Sequence, residues 1–262
     1  MSSGPAPTGW RRIAAAFSET AENYALSMAP STRGMAMAVV QRAMLASGEK
    51  ILDIGTGTGI AAATALSADR AVVGVDAAPG MLAIARREVP GARFVEADFA
   101  ALPFKKRSFN VVISVHALHF AADPVAVLAE WRRVTTPGGR LSLSVPGPRA
   151  ALSMNLYDPI YARHGMKRRI KVPSARKLTA WAKEAGWRDV RVHADPDTVI
   201  RLAGPDVFDL WMRTGSRADA REAMGAERFA ALEADLVAVT PRTNDGQLLI
   251  PFGTLYLTAR NI

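Results

Sequence analysis

The sequence predicts an α/β protein in which helices cover both faces of a mostly parallel β-sheet. Short apolar, β-branched runs alternate with longer helical patterns between residues 51 and 145. That alternation is typical of parallel strands joined by right-handed crossovers. The first run is followed by glycine at every second position, as in a tight turn from strand to helix. Ligands of such sheets bind beyond the carboxyl ends of the strands.

The predicted elements follow one another closely. A first core helix over residues 32–45 is amphipathic through Met35, Val39, Ala43 and Met44. The alternating region then contains strand 51–54, helix 60–66, strand 71–75, helix 79–88, strand 92–96, strand 110–115, helix 123–134 and strand 140–145. The remainder contains a helix from 174 to 185 capped by Ser174 and ended by Gly186, a sixth strand at 188–194, two helices within 204–240, and a last strand at 251–260 antiparallel beside the sixth.

The glycine-rich turn has the spacing of a cofactor loop. It reads ILDIGTGTGI, with Asp53, Gly55, Gly57 and Gly59 in the pattern acidic-x-G-x-G-x-G. A dinucleotide loop requires G-x-G-x-x-G, and Ile60 stands where its third glycine would be. Glycines at such a turn also serve tight packing between strand and helix, so both explanations stay open here.

Two further strands end in acidic residues at the predicted ligand-binding edge. Asp76 follows strand 71–75, and its carboxylate could accept both hydrogen bonds of a ribose diol. An alternative role for Asp76 is the N-cap of the next helix. Asp98 and Phe99 follow strand 92–96, where a carboxylate and a ring could bind and cover an adenine.

Residues 51–145 resemble the class I S-adenosylmethionine (SAM) dependent methyltransferases of type 11, the ubiquinone/menaquinone-biosynthesis and malonyl-carrier-protein kind. The resemblance rests on the glycine loop, on FVEADFAALPFKKRSFNVVIS with its L-P-F turn, and on DPVAVLAEWRRVTTPGGRLSLS with its P-G-G turn. It implies a Rossmann-like seven-stranded sheet, mostly parallel with an antiparallel last strand, and SAM as cofactor. The cofactor contacts that it implies in this chain are Tyr24, Asp53, Gly55, Thr56, Gly57, Gly59, Asp76, Ala77, Met81, Asp98, Phe99, Ser114 and His116.

Tyr24 enters this set through a second family pattern, F-x6-Y, formed with Phe17. The family usually places an acidic residue after the tyrosine, whereas this chain has Ala25. A tyrosine that only packs under a lid is the alternative.

The same resemblance implies a division of the chain into a SAM-binding core and lid segments. Residues 1–36 are expected to form N-terminal lid helices and 37–148 the SAM-binding core. Residues 149–173 form a lid insertion, and residues 174–262 complete the sheet with a helical cap at 203–242.

His116 and His119, in SVHALHF after the fourth core strand, are the candidate catalytic bases. Imidazole titrates near neutrality and suits removal of a proton from a phenol, an amine or an activated carbon. Family members often carry histidines here without a catalytic role, so contact with cofactor or substrate is the alternative for His116. The tetrapeptide D/N/S-P-P-Y/F of amino-methylating nucleic-acid enzymes is absent, which disfavours nucleic acid as the acceptor.

Composition bears on the metal sites, the location and the partners that the protein can have. The 262 residues include no cysteine, and the four histidines are scattered, so no metal site is predicted. No apolar stretch reaches 18 residues, and the N-terminus lacks a secretory pattern, so a cytoplasmic protein without a membrane partner is expected. The net charge of +9 and the cluster Lys167, Arg168, Arg169 and Lys171 suit an anionic acceptor or an ordinary solvated loop.

These observations predict a methyltransferase that moves the sulfonium methyl of SAM to an oxygen or carbon of a small biosynthetic intermediate. Two alternatives remain: a SAM-binding relative that does not methylate, such as a pericyclase-like or regulatory protein, and an RNA methyltransferase. If the acceptor is apolar instead of anionic, Tyr157, Tyr161 and Trp211 are the aromatic residues expected to mark its site.

Overall fold

The computed structural model describes residues 10–166, 172–212, 221 and 223–262. The side chains of residue 10 and of residues 148–155 are not part of this description. The basic cluster Lys167, Arg168, Arg169 and Lys171 lies outside the described residues.

The main sheet has seven strands in the order β3-β2-β1-β4-β5-β9-β6, and two further strands form a separate antiparallel pair, β7-β8. The strands are β1 (Lys50–Ile54), β2 (Ala71–Asp76), β3 (Arg93–Glu96), β4 (Phe109–Val115), β5 (Thr135–Pro146), β6 (Arg188–Asp195), β7 (Val199–Leu202), β8 (Leu248–Pro251) and β9 (Thr254–Arg260). The first five strands pair in parallel. β9 runs antiparallel to both β5 and β6, which confirms the predicted seven-stranded, mostly parallel sheet with an antiparallel last strand.

Helices cover this sheet and extend beyond one of its ends. Within the described residues they are α1 (Trp10–Glu19), α2 (Ala21–Ser27), α3 (Ala29–Ala43), α4 (Ile60–Ala65), α5 (Pro79–Glu88), α6 (Pro124–Val134), α7 (Pro148–Arg163), α8 (Ala175–Glu184), α9 (Pro205–Met212) and α10 (Ala226–Val239), with a 3₁₀ turn at Leu118–Phe120. The described residues include no helix of the length and apolar character needed to cross a membrane.

Strand periodicity divides the core into two layers. Ile51 packs with the apolar faces of α3, α4 and α5, whereas its neighbour Leu52 packs with α6 and α8 on the opposite face. Two buried tryptophans anchor the second layer through their indole N–H groups. Trp131 donates to the Phe99 carbonyl at 3.0 Å, and Trp187 donates to the Leu128 carbonyl at 2.9 Å.

A third apolar cluster builds a cap over the carboxyl end of the sheet. It joins α7, α9, α10 and the β7-β8 pair through side chains that include Ile160, Phe208, Phe229, Ile200 and Ile250. The sequence predicted the two helices within 204–240 but missed β7 and β8.

The N-terminal helices α1 and α2 pack against α5. Phe17 and Tyr24 pack against Met81 and Ile84 of α5. The predicted segment boundaries at residues 36, 148 and 173 stay predictions.

Candidate active site

The glycine loop between β1 and α4 uses its three glycines for different purposes. All three have positive φ, +67° at Gly55, +54° at Gly57 and +86° at Gly59. A side-chain carbon at Gly55 would lie 2.3 Å from Ala117 Cβ, and one at Gly59 would lie 3.1 Å from Val89. At Gly57 such a carbon would meet no atom within 4 Å, and Gly57 lines a cavity. Packing therefore explains Gly59, whereas Gly57 leaves its space open to a ligand.

Asp53 is completely buried beneath this loop. The Thr56 hydroxyl donates to its Oδ2 at 2.6 Å, but Oδ1 has no hydrogen-bond partner. Burial is the main reason why the pKa of Asp53 rises to about 7. Asp53, Thr56 and Tyr24 line a small side cavity that shares Gly55 and Gly57 with the main one. An unsatisfied buried carboxylate oxygen at this place suits a ligand that donates a hydrogen bond or carries a positive charge.

The carboxylate of Asp76 connects the end of β2 to the glycine loop. Its Oδ2 accepts a hydrogen bond of 2.8 Å from the Gly57 N–H, and its Oδ1 accepts one of 2.9 Å from the Ala78 N–H. The N-cap residue of α5 is Ala78, and no side chain caps this helix, so the N-cap role for Asp76 is wrong. Burial raises the pKa of Asp76. Each oxygen keeps the capacity to accept another hydrogen bond, and Asp76 lines the main cavity.

The edge beyond β3 carries the second predicted acidic residue. Asp98 and Phe99 both line the main cavity. Asp98 Oδ1 accepts from the Ala100 N–H at 2.8 Å, and the Phe99 ring meets the Trp131 ring edge-on at 6.4 Å. The buried contact to Trp131 orients the Phe99 ring.

The structure brings most of the predicted cofactor contacts together around these two cavities. The exceptions are Gly59, which packs against α5, and Ser114. The Ser114 side chain is fully buried, and its hydroxyl donates to the Ile54 carbonyl at 2.8 Å instead of lining either cavity. We therefore leave Ser114 out of the proposed site. The predicted contacts that line the main cavity are Tyr24, Gly55, Gly57, Asp76, Ala77, Met81, Asp98, Phe99 and His116.

The two histidines follow β4 and line the same cavity. His116 has the left-handed backbone conformation, φ +52°, which is uncommon outside glycine. Its ring centroid lies 6.2 Å from that of His119 and 5.1 Å from that of Phe252. His116 Nε2 and His119 Nδ1 are buried without a hydrogen-bond partner.

Burial also decides the charge of these rings. It lowers the pKa of His119 to about 4, and burial together with the nearby His119 ring lowers the pKa of His116 well below its usual value. Both imidazoles are therefore neutral at physiological pH.

Apart from Thr32, whose hydroxyl donates to the Ala29 carbonyl, the remaining cavity wall is apolar, and the sequence indicated little of it. From the N-terminal helices it receives Ile13, Ala14, Phe17, Met28 and Met35, and from the cap it receives Ile200, Trp211, Ile250 and Phe252. The spacing of Ile13, Ala14 and Phe17 on one face of α1 could have indicated the first group. No local pattern indicated the second group, because it depends on how β7, β8 and α9 pack together.

Two of the aromatic residues expected at an apolar acceptor site lie elsewhere. Tyr157 and Tyr161 are buried in the cap cluster and do not line the cavity. The Tyr157 hydroxyl shares a 2.8 Å hydrogen bond with Thr240 Oγ1. Trp211 does line the cavity.

The arrangement fits a nucleoside cofactor with a positively charged end. Gly57 leaves open space, Asp76 offers acceptor capacity at a strand end, and Asp53 has an unsatisfied oxygen. In the part of the chain that the structure describes, no group of three or more His, Cys, Asp or Glu side chains could hold a metal ion.

Comparison with known proteins agrees with this geometry. Residues 52–143 match the family described as a methyltransferase domain. The chain is 31% identical over 241 residues to trans-aconitate 2-methyltransferase of Methylobacterium nodulans, which covers 85% of this chain and 90% of that protein. It is 30% identical over 204 residues to demethylmenaquinone methyltransferase of Renibacterium salmoninarum, covering 68% of this chain and 84% of that protein.

Solved structures share the fold at low identity. The [4+2]-cyclase SpnF superimposes with a TM-score of 0.59 at 20% identity, over 87% of this chain and 80% of that chain. Phosphoethanolamine N-methyltransferase 2 of Haemonchus contortus, solved in complex with SAM, superimposes with a TM-score of 0.57 at 18% identity, over 87% of this chain and 52% of that chain.

Proposed function

Because the chain belongs to the class I SAM-dependent methyltransferases of type 11, we propose that it methylates an oxygen or carbon atom of a small biosynthetic intermediate. The observation that carries this proposal is one continuous cavity. Gly57 and Asp76 line it on one side, His116 and His119 line it after β4, and apolar side chains close the remainder. A bound cofactor and a small acceptor would therefore meet in one continuous space.

The glycine loop and the strand ends would hold the cofactor. Asp76 would accept hydrogen bonds from the ribose diol with the lone pairs that Gly57 and Ala78 leave unused. Asp98 and Phe99 would hold the adenine. Asp53, with its unsatisfied Oδ1, and Tyr24 would face the charged methionine end from the side cavity.

When bound, SAM supplies an electrophilic methyl group whose bonding electrons stay on sulfur as the methyl leaves. The protein then has two tasks, to align the acceptor atom with that methyl group and to take up the acceptor proton. The apolar walls from α1 and the cap exclude water and limit the orientations of the acceptor. Neutral His116 or His119 would take the proton from an acceptor O–H or activated C–H.

The names of the two relatives refer to acceptors of different polarity, the carboxylate trans-aconitate and the quinone precursor demethylmenaquinone. Neither name assigns an acceptor to this chain. Family membership favours methyl transfer over a SAM-binding role without turnover, and the likeness to the cyclase concerns the fold alone.

Mass spectrometry tests the proposal directly. Purified protein is incubated with SAM carrying a ¹³CD₃ methyl group and with single acceptors: phenols, hydroquinones, β-dicarbonyl compounds, carboxylic acids and a short RNA. We expect S-adenosylhomocysteine to accumulate only with an O–H or activated C–H acceptor, which gains the labelled methyl. Label in RNA, or SAM binding without label in any acceptor, would contradict the proposal.

A further inference from the structure

The main cavity has two chemically different halves. On the cofactor half, Asp76 and Asp98 are the only carboxylates among the described lining residues, and the two histidines there are neutral. The other half is formed by apolar side chains of the N-terminal helices and the cap. In neither half does a described arginine or lysine line the cavity.

The cap half is part of a packed core. Ile200, Ile250 and Trp211 are all at most 3% exposed, and they belong to the third apolar cluster together with side chains of α7 and α10. An apolar wall of this kind favours contact with the apolar part of a ligand.

Among the described residues, a carboxylate that entered this half would lose its water without gaining a cationic side chain as its partner. The cost of burying an unpaired carboxylate is several kcal/mol. The imidazoles offer no compensation, because burial keeps the pKa of both rings low and the rings uncharged. Aromatic side chains in the wall, among them Phe17, Trp211 and Phe252, offer flat surfaces to a ring instead.

We propose that the acceptor is an uncharged molecule with an apolar, ring-sized body, and that Ile250, Trp211 and Phe252 of the cap select it against acidic acceptors. The inference deepens the proposed function, and it rests on that function only for the reaction that follows binding.

Equilibrium binding tests this selectivity without any methyl transfer. Isothermal titration at pH 7 compares 2-naphthol with 2-naphthoate, which share the same bicyclic ring and differ in charge. The protein is saturated with sinefungin, which does not transfer a methyl group and keeps a positive charge near the methyl position. We expect 2-naphthol to bind at least about tenfold more tightly than 2-naphthoate, because the anion must be buried unpaired.

Variants at Phe252 test whether the cap is the source of this selectivity. Phe252 is half-buried at the end of β8, so a lysine there could reach the cavity from the surface. Phe252→Lys should raise the affinity for 2-naphthoate about tenfold, whereas Phe252→Leu should keep the preference for 2-naphthol. Phe104→Leu, an aromatic substitution outside the cavity, should leave both affinities unchanged.

The proposal fails if the parent protein binds 2-naphthoate as tightly as 2-naphthol, or if it binds no 2-naphthol at millimolar concentration. Failure of the proposed function gives a different result. In that case 2-naphthol still binds selectively, but no acceptor in the labelling experiment gains a methyl group.

Discussion

The Asp76 carboxylate accepts a 2.8 Å hydrogen bond from the backbone N–H of Gly57, and this bond ties the end of β2 to the loop that follows β1. The two residues therefore fix each other's position. Gly57 has a positive φ that favours glycine, and no atom lies within 4 Å of the place where its side chain would be. The hydrogen bond to Asp76, the residue proposed to bind the ribose, therefore fixes the position of the loop.

Gly57→Ala tests whether this open space belongs to the cofactor. The added methyl group would project into the cavity, so we expect the affinity for SAM to fall at least about tenfold. Gly138→Ala is the matched control, because Gly138 also has a positive φ, +75°, and open space around it but does not line the cavity.

Both substitutions should cost about 1–2 kcal/mol of folding free energy through backbone strain. Isothermal titration and thermal unfolding measure the two effects separately. Equal SAM affinity in the two variants would show that the space at Gly57 is not occupied by cofactor.

The buried Asp53 predicts a pH-dependent stability. In the folded protein its pKa is about 7, against an ordinary value of 3.8, so the folded state holds this proton between pH 3.8 and 7 while the unfolded chain has lost it. The contribution of Asp53 to stability therefore falls as pH rises through that window, by up to about 4 kcal/mol.

Asp53→Asn should remove this loss, because an amide oxygen still accepts the Thr56 hydroxyl and carries no charge. We expect the variant to unfold at a higher temperature than the parent at pH 8, with the gap shrinking toward pH 4. Thermal unfolding without cofactor, followed from pH 4 to pH 8, gives this comparison. A gap independent of pH would show that Asp53 is ionised in the folded protein.

His116→Ala or His119→Ala should lower kcat by about 10² if that ring takes the acceptor proton, with SAM affinity nearly unchanged. His193→Ala is the control, since His193 is exposed on β6 and remote from the cavity lining. Single-turnover rates report the chemical step, and SAM titrations report the affinity for SAM.

The pH profile of the parent adds a second readout. Because the folded pKa of His119 is lowered to about 4, its neutral form persists above that value. Activity that depends on His119 should therefore show no step near pH 6.5 and should decline only as pH approaches 4. If His116→Ala and His119→Ala each raise KM and leave kcat unchanged, the histidines position the acceptor and do not take its proton.

The central sheet could be predicted from the sequence because each of its first strands is a short apolar run next to a helical pattern. β7 and β8 could not be predicted. Each has only four residues, and the two strands pair with each other although α9 and α10 lie between them in the sequence. β5 begins at Thr135, earlier than expected, because its first residues join the sheet through an irregular ladder with a register shift beside Phe109.

The site was predictable to the extent that it depends on strand ends. Asp53 and Asp76 lie at the ends of β1 and β2, and Asp98 and His116 follow β3 and β4. These four strands are neighbours in the sheet, so the topology alone brings the residues together. Ser114 was predicted as a cofactor contact, and its hydroxyl donates to the Ile54 carbonyl, because sequence position does not tell whether a strand-end hydroxyl turns to a ligand or to a neighbouring carbonyl. Cavity-lining residues such as Phe252 could not be predicted, because their position depends on tertiary packing of the cap.

The most direct test of the account is the affinity for SAM of the parent protein and of Asp76→Ala, measured by isothermal titration. We predict that Asp76→Ala folds and loses about 2–4 kcal/mol of SAM binding free energy, because the ribose loses a charged acceptor and Gly57 loses its tie to β2. Asp69→Ala, which removes an exposed carboxylate remote from the cavity, should bind SAM as the parent does. Unchanged SAM affinity in a folded Asp76→Ala protein, or tight binding of NAD by the parent, would contradict the assignment of this cavity to SAM.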